Sequence, residues 1–291
     1  MTDTSARIPG TLFIIATPIG NREDISLRAL STLQAVDLIL AEDTRHSGQL
    51  LSALGIKKPR LSLHAHNEAS KSALILEKLE QGQSCALISD AGTPLISDPG
   101  FPLVRLARSA SISVVPIPGA CALITALSAA GIPCDTFTFG GFLPAKQTAR
   151  QQKLDVLRKD EHTLVFYEST HRILDSIDDI ALVFGADCEM VLAKELTKTF
   201  ERFITGPIHI VKDWLLSDSN HTKGEFVLII PPQALVKEIN AHEHLLSVLL
   251  TELPLKQAVG LACKITNAPK NELYQLALDL HHVTNMNNNR S

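Results

Sequence analysis

Short apolar runs alternate along the chain with amphipathic segments, and glycines, prolines and capping residues divide them. Thr11 to Ala16 is a β-rich apolar run, broken by Thr17-Pro18-Ile19-Gly20-Asn21. Ser26 can cap a helix reaching Val36, because Leu27, Leu30 and Leu33 share one helical face. A strand at Leu38 to Leu40, a helix to Leu54 closed by Gly55, a strand at Arg60 to Leu63 and a helix from Ser70 to Leu79 follow. Cys85 to Ile88 predicts a buried strand, Pro102 a helix start, Val114-Val115 a strand, and Ala120 to Ala130 a helix of small residues stopping at Gly131. Strands alternating with helices predict a mainly parallel sheet with helices on its faces.

The second half repeats the rhythm. Strands are predicted at Thr136 to Phe139, Thr163 to Tyr167 and Met190 to Ala193, with helices from Thr148 to Leu157 and up to Phe184. Phe200 to Ile204 and Phe226 to Ile230 complete this sheet, and the missing crossover after the last strand predicts a mixed one. Pro231-Pro232 reads as a linker into a small helical tail. Its amphipathic segments, Leu255 to Ile265 and Glu272 to Leu280, flank Asn267-Ala268-Pro269 like a helix-turn-helix. The expected division is an α/β domain over 9–131, a second over 132–233, a helical extension over 234–285 and a disordered tail over 286–291.

Composition narrows the class. With 291 residues, 45% hydrophobic and 20% charged, the chain is expected to be a globular protein of more than one domain. No apolar run is long enough to span a membrane, and the polar start MTDTSARIPG lacks a secretory h-region, so a cytoplasmic protein is expected. Five scattered cysteines without a C-x-x-C pair speak against a zinc site or a disulfide framework. His64/His66 and His242/His244 have ligand-like spacing but no accompanying cysteine or carboxylate pattern, so no metal is expected. A net charge of −4 leaves any polyanionic partner to a local patch.

Candidate chemistry collects at strand ends. Ser89 to Gly100 packs Asp90, Gly92, Pro94, Pro99 and Gly100 into one loop beyond a buried strand, where ligands bind in open α/β sheets. Asp90 can hold a cationic group, and the helix start at Ala120 can face an anionic one. Glu42-Asp43-Arg45 is either part of that edge or a helix cap with a surface ion pair. Lys146, Arg150, Lys153, Arg158 and Lys159 form the densest basic run, either a phosphate-tracking face or a solvated one. Lys194 and Glu195, adjacent on a predicted strand, are expected to face opposite sides.

GTLFIIATPIGN, LILAEDTR, LISDAGTPLISDPG, PGACALITALSAAG, FGGFLPAK, YESTHRI and KELTK occur in this order. Together they resemble the ribosomal RNA small subunit methyltransferase I group of the tetrapyrrole methylase superfamily. The resemblance covers about Pro9 to Pro232, and the helical tail is similar to the group's C-terminal extension. It implies two α/β domains with S-adenosylmethionine in the cleft between them, and a homodimer. It implies 2′-O-methylation of a decoding-centre (P-site) cytidine in 16S ribosomal RNA, within the small ribosomal subunit. By the same resemblance the cofactor residues are Pro18, Asp90, Ala91, Gly92, Thr93, Ile96, Pro118, Gly119, Ala120, Cys121, Tyr167, Leu196 and Gly224. Candidates for proton handling are Lys194, Glu195 and Glu168, and for RNA contact Arg45, Lys146, Arg150, His171, Arg172 and Lys198. The first loop lacks the V-G-x-G-P-G-D form of tetrapyrrole-modifying relatives, which favours the RNA branch. A methyltransferase for a small tetrapyrrole-like acid and a non-catalytic cofactor-binding assembly factor are the alternatives.

Overall fold

The computed structural model describes residues 9–288, without the side chains of 233–240 and 281–288. The first half is a five-stranded parallel sheet of β1 (Thr11–Ile15), β2 (Leu38–Ala41), β3 (Arg60–Ser62), β4 (Cys85–Ile88) and β5 (Ser113–Ile117), in the order β3-β2-β4-β1-β5. Successive side chains on a strand point to opposite faces. Ile39, Ala86 and Ile88 therefore meet α1 (Leu27–Ala35) and α2 (Thr44–Ala53) through Leu33 and Leu51. Leu40, Cys85 and Leu87 meet α3 (Glu68–Glu80) and α4 (Phe101–Ser109) through Ile75, Leu79 and Leu103. Covering both faces explains why these strands read as unbroken apolar runs. Local signals agree with the core: the Ser26 hydroxyl accepts the Ala29 N–H at 3.1 Å, a cap worth about 1 kcal/mol.

The second sheet holds β6 (Phe137–Phe142), β7 (Thr163–Ser169), β8 (Glu189–Lys194), β9 (Arg202–Pro207) and β10 (Glu225–Ile230), in the order β6-β7-β10-β8-β9. Only β6 and β7 pair in parallel; the other three ladders are antiparallel, as the missing crossover predicts. One face carries α6 (Gln147–Leu157), α7 (Ile173–Phe184) and α8 (Ile208–Ser217) over Leu164, Phe166, Met190, Leu192 and Leu228. The other face is covered from outside its own half. Helix α5 (Ala122–Ala129), which leaves the first sheet, lays Leu123, Ala126 and Leu127 on Val165, Val191, Ala193, Val227 and Ile229.

Several expected boundaries move. Helix α8 has no counterpart in the sequence reading, which takes Gly206-Pro207 as the edge of the sheet. Pro207 instead precedes the first helical residue, and Ile208, Val211 and Leu215 are buried at helical spacing. Strand β9 begins at Arg202 and not at Phe200, whose ring is 73% exposed. Pro231-Pro232 opens a 20-residue helix, α9 (Gln233–Glu252), because proline is tolerated at the start of a helix. It packs with α10 (Leu255–Thr266) and α11 (Lys270–Asn288) around Leu246, Val259, Ala262, Leu273 and Ala277. Asn267, at φ +59°, ends α10 in the left-handed conformation. Of the expected disordered tail, residues up to Asn288 continue α11, and 289–291 lie outside the described residues. No helix among the described residues is long and apolar enough to cross a membrane.

Candidate active site

In a parallel sheet the loops after every strand leave from one edge. Because β4 and β5 both neighbour β1, the loops after β1, β4 and β5 meet there. Thr17 and Gly92 exchange backbone hydrogen bonds at 2.9 and 3.1 Å, joining the first loop to the Ser89–Gly100 loop. The Thr93 hydroxyl donates to the Ala120 carbonyl at 3.0 Å and ties the same loop to the start of α5. The Gly100 N–H donates to the Glu68 carboxylate at 2.8 Å. Leu95 and Ser97 hold φ of +72° and +74°, a conformation that non-glycine residues adopt only where the surroundings impose it.

The second sheet closes the other side. The Leu123 N–H, in the first turn of α5, donates to the Tyr167 hydroxyl at 3.0 Å. Gly20 lies against the loop after β8, where a Cβ would come within 3.0 Å of the Leu196 carbonyl and closer still to Thr197 and Lys198. Asn21 N–H donates to the Thr197 hydroxyl across the same seam at 3.0 Å. A register shift between Phe139 and Phe142, with Gly141 at φ +61°, sets Phe142 opposite Tyr167. Between these walls is a cavity of about 300 Å³, at the small end of ligand sites. Its apolar walls include Ile19, Ile96, Phe142, Leu196 and Val227, and its carboxylates are Asp90, Asp98, Glu168 and Glu225.

Eight of the residues expected to hold a cofactor line this cavity: Asp90, Ala91, Gly92, Thr93, Ile96, Cys121, Tyr167 and Leu196. The other five stand behind the wall. Pro18 is buried, Pro118 is exposed, and Gly119 lies so close to Ala16 that a Cβ would sit 2.9 Å from the alanine methyl. Ala120 offers its carbonyl to Thr93, and Gly224, at φ +113°, packs on the Glu195 side chain.

The proton-handling candidates fare differently. Lys194 is buried and pairs in register with Phe226, which shares with Glu168 the sheet face opposite Tyr167 and Val227; it does not line the cavity. Glu195 is not on the strand at all. Its φ of +52° turns the chain after β8, so the expected alternation with Lys194 does not apply. Its carboxylate accepts from the Glu225 N–H at 3.0 Å and from Lys198 Nζ at 2.9 Å. Burial pushes this carboxyl up, but Lys198 and the Glu225 amide hold it below the usual range. Glu168 lines the cavity, but its oxygens accept from the Ser169 N–H, Arg172 Nε and the Ser176 hydroxyl at 2.6 to 2.9 Å. All three are therefore structural carboxylate or lysine positions in this geometry.

Most RNA-contact candidates share one edge. Lys146, His171 with Arg172, and Lys198 follow β6, β7 and β8, whose carboxyl ends lie together. Lys146 and His171 are exposed, while Arg172 pairs with Glu168 and Lys198 with Glu195 and Glu225. Arg150 is a correction: its guanidinium is 4% exposed, 2.6 Å from Asp179, and donates to the carbonyls of Pro144 and Ala145. It cannot reach a phosphate. Arg45 is exposed and paired with Asp43, whose carboxylate accepts the Arg45 and His46 N–H groups and so caps α2. The Arg45 hydrogen bonds hold the Asp43 carboxyl down at about 2.

Two features of the cavity escape sequence reasoning. Asp98 reads as an ordinary turn residue before Pro99-Gly100, and only the fold turns it inward. Phe142 reads as part of a glycine-rich strand end, and only the bulge aims its half-exposed ring into the site.

The family described as Tetrapyrrole (Corrin/Porphyrin) Methylases matches residues 11–211, and the RsmI C-terminal HTH domain matches residues 238–281. The ribosomal RNA small subunit methyltransferase I of Haemophilus influenzae is 54% identical over 93% of this chain and 97% of that protein. The protein of the same name from Pasteurella multocida is 55% identical over 94% of this chain and 98% of that one. Among solved structures, the uroporphyrin-III C-methyl transferase of Thermus thermophilus, complexed with S-adenyl homocysteine, superposes with a TM-score of 0.53. It is 14% identical and covers 78% of this chain and 100% of that one. The shared fold is a tetrapyrrole methylase fold.

Proposed function

We propose a reaction for this chain from one premise: it belongs to the tetrapyrrole methylase family, in the ribosomal RNA small subunit methyltransferase I group. It is an S-adenosylmethionine-dependent methyltransferase acting on ribosomal RNA of the small subunit. The finer reading is transfer to the ribose 2′-oxygen of a decoding-centre cytidine in 16S RNA, by a cytoplasmic homodimer working on the small ribosomal subunit.

The observation that carries this reading is the cavity at the seam of the two sheets, with carboxylates on one side and apolar walls around them. A sulfonium cofactor is cationic and largely apolar, and the lining fits both properties. Gly92, at φ +80°, supports the fit: a Cβ there would lie 3.2 Å from Ile19 and fill space at the wall. When bound, the cofactor supplies an electrophilic methyl group on positively charged sulfur. Asp90 holds the cofactor's amino group or ribose, with Ala91 to Thr93, Ile96, Cys121, Tyr167 and Leu196 around it. Pro18, Pro118, Gly119, Ala120 and Gly224 set the backbone behind those contacts.

The protein's own work is positioning. Holding a hydroxyl in line with the reacting carbon replaces a bimolecular encounter, an effect that reaches about 7–11 kcal/mol in well-oriented systems. Lys146 and His171, with Arg172, Lys198 and Arg45, supply the phosphate contacts that bring RNA to this edge. The target ribose must leave its stack to reach the cavity, which suits an unpaired nucleotide.

Mass mapping of small-subunit RNA, incubated with this protein and S-adenosylmethionine, tests the reading. One added methyl on a cytidine ribose is expected. A methyl on a base, or transfer only to small tetrapyrrole-like acids, would sink it. Binding of cofactor and RNA without any methyl product would make the protein an assembly factor.

A further inference from the structure

We propose that the Asp98 carboxylate is the general base that accepts the proton of the attacking ribose hydroxyl. This rests on the 2′-O-methylation reading above. Of the four carboxylates lining the cavity, three are already engaged. Glu168 takes three donors, Glu225 pairs with Lys198 Nζ at 2.7 Å, and Asp90 accepts the Asp43 N–H at 3.2 Å. Asp98 has no ion pair among the described residues, and the Ser89 hydroxyl is its nearest polar partner. Tyr167, on the opposite wall, is held in its protonated form, chiefly by burial. Asp98 is thus the cavity carboxylate with a free lone pair to offer.

Its placement is built. Leu95 and Ser97 in left-handed conformations, Pro94 and Pro99 with fixed φ, and the Glu68 anchor on Gly100 N–H leave the segment little freedom. The Ser97 hydroxyl lies 3.6 Å from where a Cβ on Gly141 would stand, so Asp98 sits beside the β6 bulge. That bulge leads to Lys146, on the edge where RNA contacts are expected. As the 2′-oxygen bonds to the methyl carbon, its proton passes to Asp98 and then to water, and the C–S electron pair remains on sulfur.

The surroundings of Asp98 suit this role. The groups facing it are Glu42 from the end of β2, Asp90 from the end of β4 and Tyr167 from β7, with Glu68 of α3 behind Gly100. Burial first, then the Glu42 charge, and finally Asp90 push its carboxyl up to about 6, with Ser89 pulling the other way. A base with that value is ionised at neutral pH, and its activity is lost as pH falls through about 6.

The test uses the full chain, S-adenosylmethionine and small-subunit RNA. Asp98→Asn is expected to lower the single-turnover methylation rate about 10²–10⁴-fold while leaving the calorimetric cofactor Kd near wild type. Asp98→Glu should recover part of the rate. Carboxyl NMR of the cofactor-free protein should show Asp98 titrating near 6, with the midpoint moving down in Glu42→Gln. An unchanged rate in Asp98→Asn, or an Asp98 midpoint in the ordinary carboxylate range, overturns the proposal and leaves the 2′-O reading standing. A wild-type protein that makes no 2′-O-methyl product overturns both.

Discussion

The two sheets bury themselves differently. The first keeps helices on both faces and is a closed core made from its own half of the chain. The second keeps α6, α7 and α8 on one face only, and the other face is completed by α5 arriving from the first sheet. A sheet face left bare would expose Val165, Val191, Val227 and Ile229 to water, so the second half needs the first to finish its core. That dependence fixes the seam, and the cavity lies at the seam. The site is a consequence of how one core borrows a helix.

The largest effect should come from the layer that the second sheet covers for itself. Arg150→Ala leaves Asp179 buried and unpaired, and is expected to cost about 3–5 kcal/mol in urea unfolding. The salt dependence of RNA binding should stay as in wild type, because the guanidinium is enclosed. A stable variant with a flattened salt slope would return Arg150 to the RNA surface. Next come two matched truncations, Leu33→Ala under the first sheet and Leu123→Ala at the seam, each expected to cost about 2–5 kcal/mol. Only Leu123→Ala should also weaken S-adenosylmethionine binding by calorimetry. Equal affinities in the two variants would break the contrast between a closed core and a shared one.

The smallest effect is local to the first sheet's edge. The Arg45 side-chain and backbone hydrogen bonds hold Asp43 at about 2, below its unfolded value. A depressed carboxyl contributes stability above the unfolded value and loses it as pH falls through the folded one. This contribution therefore disappears in strong acid and is complete at neutral pH. In Arg45→Ala the Asp43 midpoint, followed by carboxyl NMR, should rise toward the ordinary range. An unmoved midpoint would mean that the α2 backbone amides alone set it.

How far a residue could be read depended on whether its role was local. The capping by Ser26, the parallel alternation up to Ile117 and the stop at Gly185 follow from spacing and turn chemistry, which neighbouring residues decide. Helix α8 was hidden because Gly206-Pro207 serves equally well as a sheet boundary or a helix entry. Lys194 looked available at a strand end, yet which sheet face a side chain occupies depends on partners distant in sequence. Arg150 looked like one of five cations on a basic helix, and only the approach of Asp179 from α7 separates it from the exposed ones.

The sequence by itself determined the two α/β halves, the helical extension, the family through its ordered motifs, and the loop from Ser89 to Gly100 as the place where a ligand is met. Those properties rest on short-range patterns of hydrophobicity, proline and glycine. Tertiary structure alone decided that α5 completes the second sheet, that Glu168, Glu195 and Arg150 are engaged by partners, and that Asp98 faces the cavity without a cation. Charge state, burial and partnership are set by contacts between elements far apart in the chain, and no single stretch of sequence contains both sides of such a contact.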